Sequence, residues 1–257
     1  MVTKSVAADM ADGTQVKVKI TGPLLETLLQ QYGRSQKDFT LVRFSAADKY
    51  SIAVPAEILK NQAIILGLVD RGRALTVVVP GERAMYWVRR LTCIDFETGA
   101  TAALCRKIFF LETAAQSLPQ EDYAYYESLD KVIKTRDLIG KYADIDDAAL
   151  KNVFMHAGDG LYKNERTQDF LSGYLKITGQ DTPRFLSPEL PQGMHVRDLL
   201  HISYGDTAFF SLDQALQVFH AAANVPPGSV AYTDLVKQVG TVKANCCRLV
   251  AADGAAL

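Results

Sequence analysis

Apolar and polar residues alternate from Thr14 to Ile20 in TQVKVKI, the pattern of a strand with one face buried. The period then changes. In GPLLETLLQQYG, Leu24, Leu25, Leu28 and Leu29 fall on one stripe at helical spacing, with Pro23 near the start and Gly33 at the end, which predicts a short helix over 23–32. FTLVRF and SIAVP follow as two strands around the polar turn SAADKY. AIILGLV and ALTVVVP are continuous apolar runs separated by DRGR, and YWVRRLTCIDF closes the series as a strand with polar residues at its end. CIDFETGATAALCRKIFF reads as a hairpin turning near Thr98 and Gly99.

The same order of patterns returns. KTRDLIGKYADI matches GPLLETLLQQYG, with Leu138 and Ile139 in place of Leu28 and Leu29. VFMHAGDGLY matches VRFSAADKYS, SGYLKITGQD and PRFLSPELP follow, and GMHVRDLLHISYGD answers MYWVRRLTCIDFE. A Val-Arg-x-Leu sequence occurs at Val88–Leu91 and again at Val196–Leu199. A third, partial copy is expected at the end of the chain. SLDQALQVFHAAANV predicts a helix over 212–223 with Ser211 as N-cap, VAYTDLVKQVG a second helix, and CRLVAADG a strand and turn. The expected organisation is a first unit over 1–100, a more divergent second over 101–210, and a partial third or packing extension over 211–257.

Composition changes this picture little. Lys plus Arg number 28 and Asp plus Glu 29, a formal net charge of −1, which supplies no attraction to nucleic acid or an anionic surface. No apolar run approaches the ~18 residues of a membrane span. MVTKSVAADM lacks the apolar core of a secretory signal, so a cytoplasmic location is expected unless an export signal has been removed. The four cysteines, Cys93, Cys105, Cys246 and Cys247, form no CxxC pair, and free, mostly buried thiols are expected.

The ordered set ITGPLLETLLQQYG, LVRFSAADKYSIAVP and LTVVVPGERAMYWVRRLTCIDFE resembles the molybdopterin-binding domain of sulfite-oxidase-type oxidoreductases. Ala47, Asp48 and Tyr50 stand in the turn of that pattern, Val78 to Gly81 in its VVPG strand and Val88 to Ile94 in its last strand. The resemblance implies an α+β, strand-rich fold, here with an internal repeat. It covers the first hundred residues well and 130–205 more faintly. In the family one cysteine upstream of the Leu-Leu helix ligates molybdenum, a role that needs a soft thiolate. Residues 1–22 contain no cysteine. Cys105, in TAALCRKIFF, precedes the second helix, and Arg106 and Lys107 beside it would favour a thiolate. It is read either as the metal ligand or as a buried strand cysteine. The family's last strand offers basic residues to the pterin, which places Arg89, Arg90 and Arg197 as candidate cofactor- or anion-binding residues, with solvated or ion-paired arginines as the other reading.

Two functions follow. In the first, the scaffold is kept and the metal ligand lost; the chain is then a non-catalytic binding or interaction module for a small anion or a protein partner, with no cofactor expected. In the second, it is a molybdopterin-dependent oxidoreductase using Cys105. No phosphate-cradling glycine loop, nucleophile elbow or H-E-x-x-H occurs. His156, His195, His201 and His220 are scattered; His195 and His201 would share a face if they lay on one strand. ADIDDAAL reads as a helix start, and Tyr123, Tyr125 and Tyr126 as an interface or core cover.

Overall fold

The computed structural model describes residues 1–9, 13–69, 74–98, 105–143, 151–219 and 228–239. The fold is mixed α+β and rich in strands. The chain divides into two compact units, Met1–Thr101 and Ala102–Leu257.

The first unit contains β1 (Val2–Asp9), β2 (Gln15–Gly22), α1 (Leu25–Gln30), β3 (Leu41–Ala46), β4 (Ser51–Pro55), α2 (Ala56–Asn61), β5 (Ile65–Val69), β6 (Leu75–Val78), β7 (Val88–Arg89) and β8 (Leu91–Glu97). One sheet has the order β1-β2-β5-β6-β7 and the other β4-β3-β8. The main core lies between them. Leu66 and Val77 of the first sheet join Val42, Phe44, Ile52 and Val54 of the second, with Leu25 and Leu29 of α1. The opposite face of the first sheet is also buried, through Ile20, Ile65 and Val78. Both faces are therefore covered over Ile64–Leu66 and Val77–Val79, which suits their apolar residues on either face, whereas Leu68 and Leu75, paired with each other, are exposed. Each fully buried Leu, Ile or Phe contributes roughly 1.5–3 kcal/mol relative to exposure.

Between β2 and β5 the backbones approach closely at two glycines. A Cβ on Gly67 would lie 2.2 Å from the Thr21 carbonyl oxygen, and one on Gly22 would lie 2.0 Å from that of Leu66. At the other end of the unit, β3 and β8 slip register between Ser45 and Ala46, leaving Ala46 opposite Leu91. The Ala46–Tyr50 turn is closed by Ala46 N–H to Tyr50 O (2.8 Å) and Tyr50 N–H to Asp48 Oδ1 (3.1 Å), and Ala47 N–H donates to Arg90 O (3.1 Å). Trp87 Nε1 donates to Val79 O (3.2 Å), fixing the approach to β7.

The second unit contains β9 (Lys107–Phe110), α3 (Leu111–Gln116), β10 (Glu121–Tyr125), β11 (Ser128–Lys134), α4 (Thr135–Tyr142), β12 (Asn152–Ala157), β13 (Tyr162–Arg166), α5 (Thr167–Leu171), β14 (Tyr174–Lys176), β15 (Arg184–Leu186), β16 (Leu199–Tyr204), β17 (Thr207–Phe210), α6 (Leu212–Phe219) and α7 (Tyr232–Val239). Its sheets run β10-β11-β14-β15 and β13-β12-β16-β17-β9. Ile133, Leu175 and Phe185 of the first meet Val153, Met155, Ile202 and Phe209 of the second in the core.

Local details known from the first unit occur here as well. The β12–β16 register shifts between His156 and Ala157, leaving Ala157 opposite Leu199. Ala157 N–H donates to Leu161 O (2.8 Å), Leu161 N–H to Asp159 Oδ1 (2.9 Å) and Gly158 N–H to Asp198 O (2.8 Å). His195 Nε2 lies 3.0 Å from Ser187 O.

Among the described residues, the two strands of the hairpin expected from Cys93 to Phe110 pair with other strands, and its turn beyond Thr98 lies outside those residues. β8 pairs antiparallel with β3, whereas β9 pairs parallel with β17, where Phe109 stacks on Phe209. Burial of these rings in the core of the second unit outweighs the local turn signal. The face of β16 and β17 turned away from that core is covered by α6 and α7 through Ala215 and Leu235. Glu112 of α3 fixes the start of α6: its carboxylate accepts from Ser211 Oγ (2.7 Å) and Leu212 N–H (3.0 Å), favourably placed at the positive end of that helix. The helices expected over 23–32 and 212–223 are observed as α1 and α6; both α6 and α7 belong to the second unit. Residues 144–150 of ADIDDAAL, His220, Cys246, Cys247 and the last strand of the expected third copy lie outside the described residues. Among the described residues no helix is long and apolar enough to cross a membrane.

Candidate functional site

Cys105 is 5 % exposed and packs with Leu200, Ala208, Phe210, Ala215 and Leu235. Its Sγ donates to Lys107 O at 3.2 Å. Burial pushes the thiol above its usual range; the Lys107 contact opposes this and Asp206 adds to it. Arg106 and Lys107 follow Cys105 in the sequence and are exposed. A thiol in an apolar cluster that spends its proton on a backbone carbonyl has the character of a structural cysteine, not of a thiolate ligand. Among the described residues no group of three or more His, Cys, Asp or Glu side chains could hold a metal ion. Cys105, buried and protonated in this way, does not fit the thiolate-ligated molybdenum centre that the family resemblance implies.

The arginines are exposed. Arg89 ends β7, and Arg90 follows with φ 56°, in the left-handed region. Its carbonyl holds the Ala46–Tyr50 turn, where Lys49 also has φ 69°. The first unit thus presents Lys49, Arg89 and Arg90 around one corner. Arg197, in the second unit, lies 3.9 Å from Asp198, with both side chains well exposed. Burial and the neighbouring Asp181 raise the Asp198 carboxyl above its usual range, against the lowering effect of Arg197.

His195 and His201 do not share a strand. His195 precedes β16 and sits against Ser187, whereas His201 stands in β16 opposite His156 of β12. The two opposed rings are 5.3 Å apart and nearly perpendicular. His201 is 2 % exposed, its Nδ1 has no hydrogen-bond partner among the described residues, and burial, followed by repulsion from His156, holds its pKa at about 3. His156 is half-buried and reaches Gln238 of α7; burial lowers its pKa. Of the tyrosines, Tyr123 packs on Tyr174 and Tyr126 stands 78 % exposed at the β10–β11 turn.

Two buried ion pairs escaped the sequence reading. Lys176 Nζ lies 2.9 Å from Asp130 Oδ2 and also donates to Gln180 O (2.7 Å); this pairing holds the Asp130 carboxyl below its usual range. Lys163 Nζ lies 3.0 Å from Glu165 Oε2, both side chains almost fully buried, and donates to Met194 O. The signal was available in YKNER: alternation places Lys163 and Glu165 on one face of β13. Opposite Met155 and Val153 they occupy core positions, as Ile52 and Val54 do opposite Phe44 and Val42 in the first unit. Lys163→Ala should therefore cost about 3 kcal/mol by removing the ammonium that faces the buried Glu165 carboxylate, while Lys163→Ile combined with Glu165→Val should return stability to within ~1 kcal/mol of the parent or above it. Urea unfolding of the three proteins measures this.

A shallow groove of about 160 Å³ lies between α3 and the 177–183 segment, lined by Glu112, Gln116, Gln120, Ile177, Pro183 and Asp213. Its principal carboxylate, Glu112, is already committed to the start of α6. No protein-family model, curated protein or solved structure matches the chain.

Proposed function

We propose that the chain is a non-catalytic binding or interaction module, built on a duplicated sulfite-oxidase-type molybdopterin-binding scaffold from which the metal-ligating cysteine has been lost. The observation that carries this reading is the state of Cys105. It is the nearer of the two cysteines, Cys93 and Cys105, that precede the helix of Leu138 and Ile139, and it is buried among apolar side chains with its thiol proton bound to the Lys107 carbonyl. Residues 1–22 offer no substitute. The parallel order of elements in the two units, with matching register shifts beside Ala46 and Ala157, supports the duplication. A fold alone does not fix a function, so the ligand is sought at exposed polar groups, Arg89 and Arg90 in the first unit and Arg197 in the second, and the ligand class is a small anion or a protein partner.

Expression with added molybdate in a host that makes molybdopterin, followed by elemental analysis, tests the reading. The expected result is protein without stoichiometric molybdenum, and no change in metal content on Cys105→Ser. Stoichiometric molybdenum that disappears in Cys105→Ser would replace this reading with a molybdopterin-dependent oxidoreductase ligated through Cys105.

A further inference from the structure

We infer that the corner of the first unit formed by the Ala46–Tyr50 turn and Arg90 binds a small phosphoryl or sulfonyl oxyanion through Lys49 and Arg90, with Arg89 beside them. The inference rests on the binding-module reading and names the ligand class of that site. Its starting point is backbone conformation. Lys49 and Arg90 both occupy the left-handed region, at φ 69° and 56°. That region costs a residue with a Cβ roughly 1 kcal/mol or more and is most readily occupied by glycine. The equivalent turn of the second unit has Gly160 at this place, φ 82°, with the same backbone hydrogen bonds around it. The turn geometry therefore does not require a side chain at position 49, yet a long basic one is present.

Charge points the same way. Lys49, Arg89 and Arg90 are exposed, and among the described residues none of them makes an ion pair. The carboxylate inside the turn, Asp48, is engaged by the Tyr50 N–H. In the second unit the corresponding corner carries Asp159, Gly160, Arg197 and Asp198, the last also left-handed at φ 50°, so a glycine and an acid stand there where the first unit has Lys49 and Arg90. The bond from Ala47 N–H to Arg90 O (3.1 Å) ties the turn to the arginine, so the two cations rise from a fixed base. A guanidinium grips two oxygens of a tetrahedral anion at once, and an ammonium adds a point charge beside it. The same chemistry is offered by a free oxyanion and by a lipid headgroup.

The 257-residue chain, first analysed for metal, is titrated at low ionic strength with pyrophosphate and, separately, with phosphatidylglycerol vesicles. Saturable binding of pyrophosphate identifies a free oxyanion; binding of the vesicles alone identifies a headgroup. The variant carrying Lys49→Gly and Arg90→Gly should bind at least ~tenfold more weakly and melt at a higher temperature than the parent, because glycine releases the strained backbone while the charges are lost. Lys17→Gln with Lys19→Gln removes the same charge from exposed positions on β2 and should leave affinity unchanged. Absence of saturable binding, unchanged affinity in the glycine variant, or an equal loss in the β2 variant overturns the inference. Molybdenum-bearing protein would overturn the binding-module reading instead, whereas metal-free protein that ignores both probes overturns only the corner.

Discussion

Gly67→Ala is expected to disrupt the larger sheet of the first unit and to cost more than ~4 kcal/mol, at the upper end for a single substitution. The added methyl carbon would lie 2.2 Å from the Thr21 carbonyl oxygen and 2.7 Å from its carbon, both backbone atoms that cannot rotate aside. The strand pair must open to admit it. β2 meets β5 through the pairs Ile20–Val69 and Thr21–Leu68, so the opening falls on that short contact. Ile20 and Ile65, fully buried on one face of the sheet, and Leu66 on the other would lose their packing with it. Urea unfolding followed through the first unit, with Trp87 as its fluorophore, reads the loss. Gly140→Ala is the control. It lies in α4 with nothing within 4 Å of the new methyl, and it should raise stability by up to ~1 kcal/mol. An equal loss at both positions would show that the close approach of β2 and β5 is not what limits position 67.

The second large effect is a dependence of the second unit on pH through His201. The ring is neutral in the folded protein, with a pKa of about 3 against 6.5 for the exposed side chain. Below pH 6.5 the unfolded chain takes up a proton that the folded chain refuses until about pH 3. Stability is therefore fully present above pH 6.5 and falls as pH drops through that window, by a total on the order of 5 kcal/mol. His156 and His195, whose pKa values burial also lowers, act in the same direction. His201→Leu should remove most of the slope, since leucine suits the contact with Phe210 and has no nitrogen to protonate. Urea unfolding of both proteins at pH 7 and pH 4 decides it; parallel losses in the two would assign acid lability to other groups.

What the sequence disclosed and what it withheld have physical reasons. TQVKVKI showed β2 because one face is buried and the next residue exposed, so a period of two is written into the residues. The apolar runs of β5 and β6 marked them as strands, and burial on both faces over Ile64–Leu66 and Val77–Val79 is the reason they are apolar there. The pairing of β9 was not readable, because a parallel partner distant in the chain leaves no local pattern. The burial of Lys163 and Glu165 was hidden for another reason. Charged residues in a short strand suggest a wet face, and only the opposing strand and Met194 reveal that they satisfy each other in the core. Arg89 and Arg90 were picked out by their place in a pattern. Lys49 was not, since what sets it apart is a backbone angle that a residue list does not contain. For Cys105, basic neighbours in the sequence suggested an activated thiol, whereas its spatial neighbours are apolar.

The parallel union of β9 with β17 also bears on how the polypeptide emerges from the ribosome. Phe109 is translated well before its partner Phe209, and Glu112 waits across 99 residues for Ser211. Until the later segment leaves the exit tunnel, the early strand has an open edge and bare aromatic rings, the kind of surface to which chaperones bind. Closing so long a loop raises the entropic barrier to folding, so the second unit should mature slowly and late in synthesis.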